Sequence, residues 1–295
     1  MISVIIPTYN SAVTIERAIR SVLIQKVDGR LEIIICDDAS TDKTIEICKQ
    51  LRVDKIIEHK VNSGGPNWGR NAGLGAMKGE RFCFLDHDDE LLPDSLRMLL
   101  KIDADIVFGE YYFKTDQKQI LRGIGDNRMI AYKENELFLN ILKQNKKKFN
   151  SPYLSGMVVS AELKHIKFEE TFGLMDFDYM LRLTEHQKAV KVNTPVFVRY
   201  SHGFNLSLDS RFRGVSYWFS SMALEYYYNR YPREVVIGMG KLSGTKARYH
   251  YLKGEMGLAR LFFLRSRLGL KTILFIITSY WGSRYVKKYF RIFGT

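Results

Sequence analysis

The chain has 295 residues, 46% hydrophobic and 26% charged, which is ordinary for a globular protein and enough for one large domain or two smaller ones. Its three cysteines, Cys36, Cys48 and Cys83, are too few for a disulfide framework or a cysteine-rich metal centre, and read as small core residues of a reducing compartment. The net charge is +13, and residues 241–295 carry +11 of it, with twelve Lys or Arg against one acid, Glu255, so an anionic partner is expected there.

The first half alternates between apolar runs and amphipathic segments. Ser3–Ile6 is a short β-branched run, closed by a turn at Pro7-Thr8-Tyr9-Asn10. Thr14–Leu23 has helical spacing, with Ile15, Ala18, Ile19, Val22 and Leu23 on one face. Leu31–Cys36 is an apolar strand interrupted by Glu32. A helix is expected over Thr41–Leu51, with Thr41 or Asp42 as its cap. Lys55–Glu58 is a short strand, Gly64-Gly65-Pro66 a break, and Trp68–Met77 a helix. Arg81–Leu85 and Asp105–Phe108 are further strands, separated by a helix that Pro93 opens.

Strands apolar along their length are buried on both faces, which implies a mostly parallel sheet flanked by helices. Ligands of such sheets bind beyond the carboxyl ends of the strands. The polar clusters fall there: Thr8-Tyr9-Asn10, Asp37-Asp38, and Asp86-His87-Asp88-Asp89. Three carboxylates within four residues repel one another unless a cation neutralises them. No GxGxxG follows the first strand and no GxxxxGK[ST] occurs, so dinucleotide and P-loop folds are not supported.

Taken in order, SVIIPTYN, IIICDDASTD, GRNAGLGAMKGERFCFLDHDDELLPDSL and FGLMDFDYMLRL resemble the family 2 glycosyltransferases. The likeness covers roughly residues 1–210. It implies a Rossmann-like nucleotide-diphospho-sugar transferase (GT-A) fold, with a nucleotide-binding half at 1–110 and an acceptor and catalytic half at 111–210. It also implies an inverting hexosyl- or N-acetylhexosaminyl-transferase that uses a UDP-sugar and Mg²⁺ or Mn²⁺ to build a surface glycan or lipid-linked saccharide.

By that resemblance Pro7 and Tyr9 lie at the nucleotide, Tyr9 as a stacking face for the base; a core aromatic is the alternative for Tyr9. Asp38 would accept the imide N–H of uracil, against a helix-capping role. Arg70 would sit close to the nucleotide, against a place on a helix surface. Asp86-His87-Asp88 matches the DXD signature, in which Asp88 would hold the cation and Asp86 the ribose. Asp89 and Glu90 are expected to cap the helix after Pro93.

Asp176 matches the catalytic base, with Met175 where the family has Glu, and Asp178 is the fallback; helix N-terminal acids are the alternative for both. His202 would reach the cation or diphosphate. Ser155-Gly156-Met157 resembles the segment flanking donor sugar and acceptor.

The region 211–295 has no counterpart in the resemblance. Leu258–Leu274 and Ile276–Phe293 read as basic, aromatic helices suited to a membrane surface, against a cap on the core or an oligomer interface. No nucleic-acid-binding signature accompanies the charge, so nucleic acid is not expected as a partner. Met1 leads directly into ISVIIP, too short for a secretory leader. Lys271 and Arg284 bracket 12 uncharged residues, about 18 Å of helix against the roughly 30 Å of a bilayer core. A cytoplasmic protein, peripheral on the inner face of a membrane, is expected. The rival readings are a sugar nucleotidyltransferase, which would want a glycine-rich basic loop after the first strand, and a noncatalytic membrane scaffold.

Overall fold

The computed structural model describes residues 1–144, 152–171, 176–201 and 210–282, with side chains from 215 in the last stretch. The chain divides into two compact units, Met1–Phe138 with Lys147–Asp209, and Leu139–Lys146 with Ser210–Thr295.

The first unit is built on a mixed sheet. Its sequential half is parallel throughout: β3 (Lys55–Glu58), β2 (Leu31–Asp37), β1 (Ile2–Thr8) and β4 (Arg81–Phe84) lie side by side in that order. All seven residues of β1 are buried, as expected of a strand with neighbours on both edges and helices on both faces. Glu32, which interrupts the apolar run of β2, is buried but satisfied: Ser3 Oγ donates to Glu32 Oε2 at 2.5 Å, and Lys78 N–H donates to the same oxygen at 3.0 Å.

Beyond β4 the sheet continues through β9 (Val158–Ser160), β6 (Ile106–Lys114) and β10 (Ala189–Tyr200) to the two-residue β5 (Glu90–Leu91). β9 runs antiparallel to both its neighbours, while β10 is parallel to β6. β7 (Gln119–Arg122) and β8 (Met129–Tyr132) add antiparallel pairs to β6 and β10.

Helix α1 (Ile15–Leu23) buries Ile15, Ala18, Ile19 and Val22, the face its spacing marks out. Helix α2 begins later than its sequence suggests, at Thr44, and ends at Gln50. Asp42 lies outside it, accepting from Thr44 N–H at 3.0 Å and from Ala12 N–H at 3.0 Å, so it ties the turn before α2 to the turn before α1. Helix α3 (Asn67–Ala76) lies very close to the sheet because two of its three glycines, Gly69 and Gly73, face it. A Cβ at Gly69 would meet Pro7 and Cys36 at 3.2 Å, and one at Gly73 would meet Ile5 Cγ2 at 2.2 Å. The helix after Pro93, α4 (Ser95–Leu100), has no side-chain cap; Asp89 and Glu90 do not provide one.

Helix α5 (Glu136–Leu142) precedes β9, and α6 (Asp176–Thr184) precedes β10. The second unit contains α7 (Ser210–Tyr226), α8 (Pro232–Lys253), α9 (Met256–Leu264) and α10 (Leu270–Thr278). Tyr217, Ala247, Tyr251, Phe262, Phe263 and Phe275 form its apolar core. The break between the last two helices falls at 265–269, not at Phe275 as the sequence suggested; Phe275 is buried within α10, stacked on Phe263 with ring centroids 5.2 Å apart. Among the described residues no helix is long and apolar enough to cross a membrane.

Gly73→Ala should lower the melting temperature, because the new methyl overlaps Ile5 and α3 must lift from β1, at a cost of about 1–3 kcal/mol. Gly75→Ala is the control: nothing lies within 4 Å of its Cβ position, and a gain of about 0.5–1 kcal/mol is expected from helix propensity.

Candidate active site

The parallel strands deliver their carboxyl ends to one edge of the sheet, where the polar clusters collect. Tyr9 follows β1 and is 45% exposed, a free aromatic face and not a core residue. Pro7, two residues earlier, is buried beneath α3, so it shapes this edge from below.

Asp37 and Asp38 have separate jobs. Asp37 accepts from Ser40 N–H at 2.9 Å and Ser40 Oγ at 2.5 Å, which closes the turn after β2. Asp38 is buried, with both oxygens engaged by the 59–63 loop. Ser63 N–H lies 3.0 and 2.9 Å from the two oxygens, Ser63 Oγ donates to Oδ2 at 2.8 Å, and His59 Nδ1 lies 3.1 Å from Oδ1. The His59 ring stacks on Trp68, 4.0 Å between centroids.

Arg70 is buried, contrary to the alternative of a surface helix position. The short approach of α3 to the sheet carries its guanidinium beneath the strand ends. There Nη2 donates to Asp86 Oδ1 at 3.0 Å and Nη1 to Asp176 Oδ1 at 2.7 Å. Asn67 Oδ1 accepts from the same Nη1 at 3.2 Å, while Asn67 Nδ2 holds the Glu169 carbonyl at 2.7 Å. The Phe168 ring lies 5.2 Å from the guanidinium carbon and stacks on Tyr179, an aromatic floor under the charge.

Asp86, Asp88 and Asp89 can each present an oxygen within 4.8 Å of the others. Ser155 Oγ accepts from Asp86 N–H at 3.1 Å, and Asp89 N–H donates back to the Asp86 carbonyl at 3.0 Å, so the turn is tightly wound. Arg17 Nη2 donates to the Asp88 carbonyl at 2.7 Å, and the Arg17 guanidinium carbon lies 3.8 Å over the Tyr200 ring, whose hydroxyl donates to Glu90 at 2.6 Å. His87 Nδ1 is 3.1 Å from Thr14 Oγ1, which turns that ring toward the start of α1.

Asp89 is the residue that sequence reasoning misassigned. It is 2% exposed, and its Oδ2 has no hydrogen-bond partner among the described residues. Burial, with the charges of Asp86 and Asp88 added, pushes its carboxyl well above the usual carboxylate range; the Ser155 hydroxyl and Arg199 offset this only in part. The signal in the sequence was the extra acid in DHDD, separated from the helix after Pro93 by Glu90-Leu91-Leu92. Arg199, near the end of β10, was also missed. It lies 4.8 Å over the Tyr153 ring, and Tyr153, Asp89 and Asp86 all favour its charge. Nothing in the local pattern VFVRYS distinguishes it.

Asp176 opens α6. Its side chain is 45% exposed, yet burial is the largest influence on its carboxyl, ahead of the opposing pull of Arg70, and with Asp86 it raises the pKa above the ordinary value. The two observations are compatible. One side of the carboxylate meets solvent, which governs access, while protein fills most of the wider surroundings, which governs solvation. Asp178 is occupied within its own helix, accepting from Arg182 Nε at 2.9 Å and Nη2 at 2.6 Å. Met175 and His202 lie outside the described residues.

Three carboxylate oxygens in close range, one of them buried without a partner, make a donor set that fits a hard divalent cation. The fold and this edge define the class: a GT-A α/β domain with an acidic cluster beyond its central strands. The family model "Glycosyl transferase family 2" matches residues 3–161, more than half of the chain. An uncharacterized glycosyltransferase of Haemophilus influenzae is 30% identical over 210 residues, 68% of this chain and 76% of that protein. The chain therefore belongs to glycosyl transferase family 2.

The GalNAc(5)-diNAcBac-PP-undecaprenol beta-1,3-glucosyltransferase of Campylobacter jejuni is 43% identical over 105 residues. That is 34% of this chain and about a third (33%) of that relative's length. The crystal structure of Staphylococcus aureus TarS 1-349 in complex with UDP-GlcNAc superposes with a TM-score of 0.62 at 18% identity, over 98% of this chain and 93% of that one, which shows the shared fold.

Arg70→Met would leave Asp86 and Asp176 repelling each other without their shared cation. The expected loss is about 3 kcal/mol, the low end for a broken buried pair, because both carboxylates keep some contact with water. Arg70 opposes the burial that raises the Asp176 carboxyl, so without the guanidinium that carboxyl titrates higher still, and the penalty is full above its raised pKa and shrinks as pH falls through it. Chemical denaturation at pH 8 and pH 5 checks this: the gap between variant and parent should narrow at the lower pH.

Proposed function

We propose that this chain is an inverting glycosyltransferase, dependent on Mg²⁺ or Mn²⁺, that moves a sugar from a UDP-linked donor to a hydroxyl of a surface glycan or lipid-linked saccharide. The observation that carries this reading is the bridge Asp86–Arg70–Asp176, at 3.0 and 2.7 Å. It makes the DXD turn and the candidate base neighbours, as donor and acceptor must be. The choice of UDP is supported by the UDP-GlcNAc complex of TarS. A lipid-linked acceptor is supported by the undecaprenol-linked substrate in the name of the Campylobacter relative.

In this reading the base of the donor lies on Tyr9, and its imide N–H is accepted by Asp38 in place of one of the present donors. His59 is the replaceable one, since its side chain is 33% exposed. Asp86 meets the ribose. Asp88 would hold the cation with Asp86 and Asp89 beside it, and the ion when bound supplies Lewis-acid neutralisation of the diphosphate. Arg70 and Arg199 add fixed positive charge on the same side. Asp176 accepts the acceptor hydroxyl proton while that oxygen bonds to the anomeric carbon, from the face opposite the breaking bond to the diphosphate oxygen. The breaking bond's electron pair stays with the diphosphate, and the configuration inverts. The donor diphosphate competes with Asp176 for Arg70, so the carboxylate regains its basicity when the donor is in place.

A panel of nucleotide sugars, assayed for turnover and for thermal protection with and without Mn²⁺, tests the reading. UDP-sugars should protect and turn over, and Asp176→Asn should lower kcat by about 10²-fold or more while keeping donor protection. A noncatalytic scaffold would be indifferent to that substitution. If no nucleotide sugar protects at millimolar concentration, the donor-site assignment fails.

Because Asp176 must be ionised to accept a proton and its carboxyl is raised, kcat/KM should fall on the acid side with a midpoint above the ordinary aspartate value. A pH–rate profile with a midpoint at or below that of a free aspartate would remove Asp176 from this role.

A further inference from the structure

The turn between α9 and α10 reads Leu264-Arg265-Ser266-Arg267-Leu268-Gly269-Leu270-Lys271. Leu264, Leu268 and Leu270 are 70%, 65% and 77% exposed, far from the burial expected of leucines in a packed helical unit. Arg265, Arg267 and Lys271 alternate with them and are also exposed. The outer stripe of α10 continues the apolar surface through Ile273 and Ile277 at helical spacing. The opposite side of the same helix is committed inward, with Phe275 on Phe263 and Thr278 Oγ1 bonded to Tyr251 Oη at 2.7 Å. No acid follows Glu255 in the sequence, and Glu255 is itself 2.5 Å from His250.

Alternating leucines and cations on a protruding turn fit one kind of surface. A protein interface would have to supply acids to pair Arg265, Arg267 and Lys271 as the leucines between them were buried. A bilayer interface takes both at once: apolar side chains enter the acyl boundary, while cations stay at the phosphates. The excess of +11 in residues 241–295 selects an anionic bilayer over a neutral one. We propose that the 264–271 turn, with the outer face of α10, is a membrane-docking wedge that inserts Leu264, Leu268 and Leu270 into an anionic lipid surface. This rests on the reading above that the acceptor is lipid-linked, and it names the surface that brings the enzyme to it.

Sedimentation of the whole protein with phosphatidylcholine vesicles, with and without phosphatidylglycerol, tests it and requires neither donor nor turnover. Binding is expected only to the anionic vesicles. The triple change Arg265→Gln, Arg267→Gln, Lys271→Gln should weaken it about tenfold or more. The triple change Leu264→Gln, Leu268→Gln, Leu270→Gln should abolish the part of the binding that survives high salt, with the melting temperature unchanged. Parent-like vesicle binding by both triple variants would overturn the wedge. So would a lowered melting temperature in the leucine variant, which would mean that the chain's own residues cover these leucines. A dimer that the leucine variant dissociates in light scattering would assign the surface to a second copy instead. A failed vesicle experiment with a working donor assay leaves the transferase reading standing, and the reverse outcome leaves the wedge standing.

Discussion

The guanidinium of Arg70 is what allows carboxylates from two distant parts of the chain to share one place. Asp86 and Asp176 both reach it, and Asp89 lies just behind Asp86. Four acids gathered here without a fixed cation would repel one another in surroundings of low polarity, where unit charges at contact interact several-fold more strongly than in water. Desolvating Arg70 is itself costly, and the cost is offset only because its two carboxylates and Asn67 satisfy the two terminal nitrogens. The glycines of α3 are therefore part of the site: a side chain at Gly69 or Gly73 would lift the helix from the sheet and carry Arg70 away from both partners.

Among the described residues, Asp89 is the acid that the neighbouring cations reach least directly. Arg70 serves Asp86 and Asp176. Arg17 spends its hydrogen bond on the Asp88 carbonyl, and Arg199 approaches Asp89 only through space. Asp89 keeps a buried oxygen without a donor among the described residues, and burial with the charges of Asp86 and Asp88 raises its carboxyl well above the usual carboxylate range. A proton and a divalent cation are the two ways to quiet such an oxygen. In the proposed reading a bound cation would do more than a proton, because it would also offer coordination positions to the oxygens of a diphosphate.

Much of this was legible in the sequence because it is carried by local pattern. Buried strands are apolar without alternation, their polar ends announce the functional edge, and the spacing of Ile15, Ala18, Ile19 and Val22 fixes the buried face of α1. The misreadings share a cause, which is that the deciding contact is remote. Asp89 looks like a helix cap until Ser155 and Arg199, from distant segments, are seen around it. The antiparallel β9 cannot be inferred from Val158–Ser160, since three residues carry no direction; its partners on both sides set it. The break at 265–269 was misplaced because LRSRLGLK has helical composition, and only the packing of Phe263 on Phe275 requires the chain to turn there.

Asp38 is a buried carboxylate whose donors come from one neighbouring loop. A buried carboxylate without donors would cost several kcal/mol or take up a proton. Ser63 and His59 supply those donors. Ser63 also bonds the Gly65 carbonyl at 3.1 Å, and Asn62 Nδ2 donates to the Asp38 carbonyl at 3.2 Å, so the loop is a single closed set of bonds around one acid. In the proposed reading, exchange of the His59 donor for a base N–H would leave the carboxylate with the same number of donors. Specificity in that reading would come from rejection: a base that presents an acceptor where an N–H is required would face the carboxylate lone pairs.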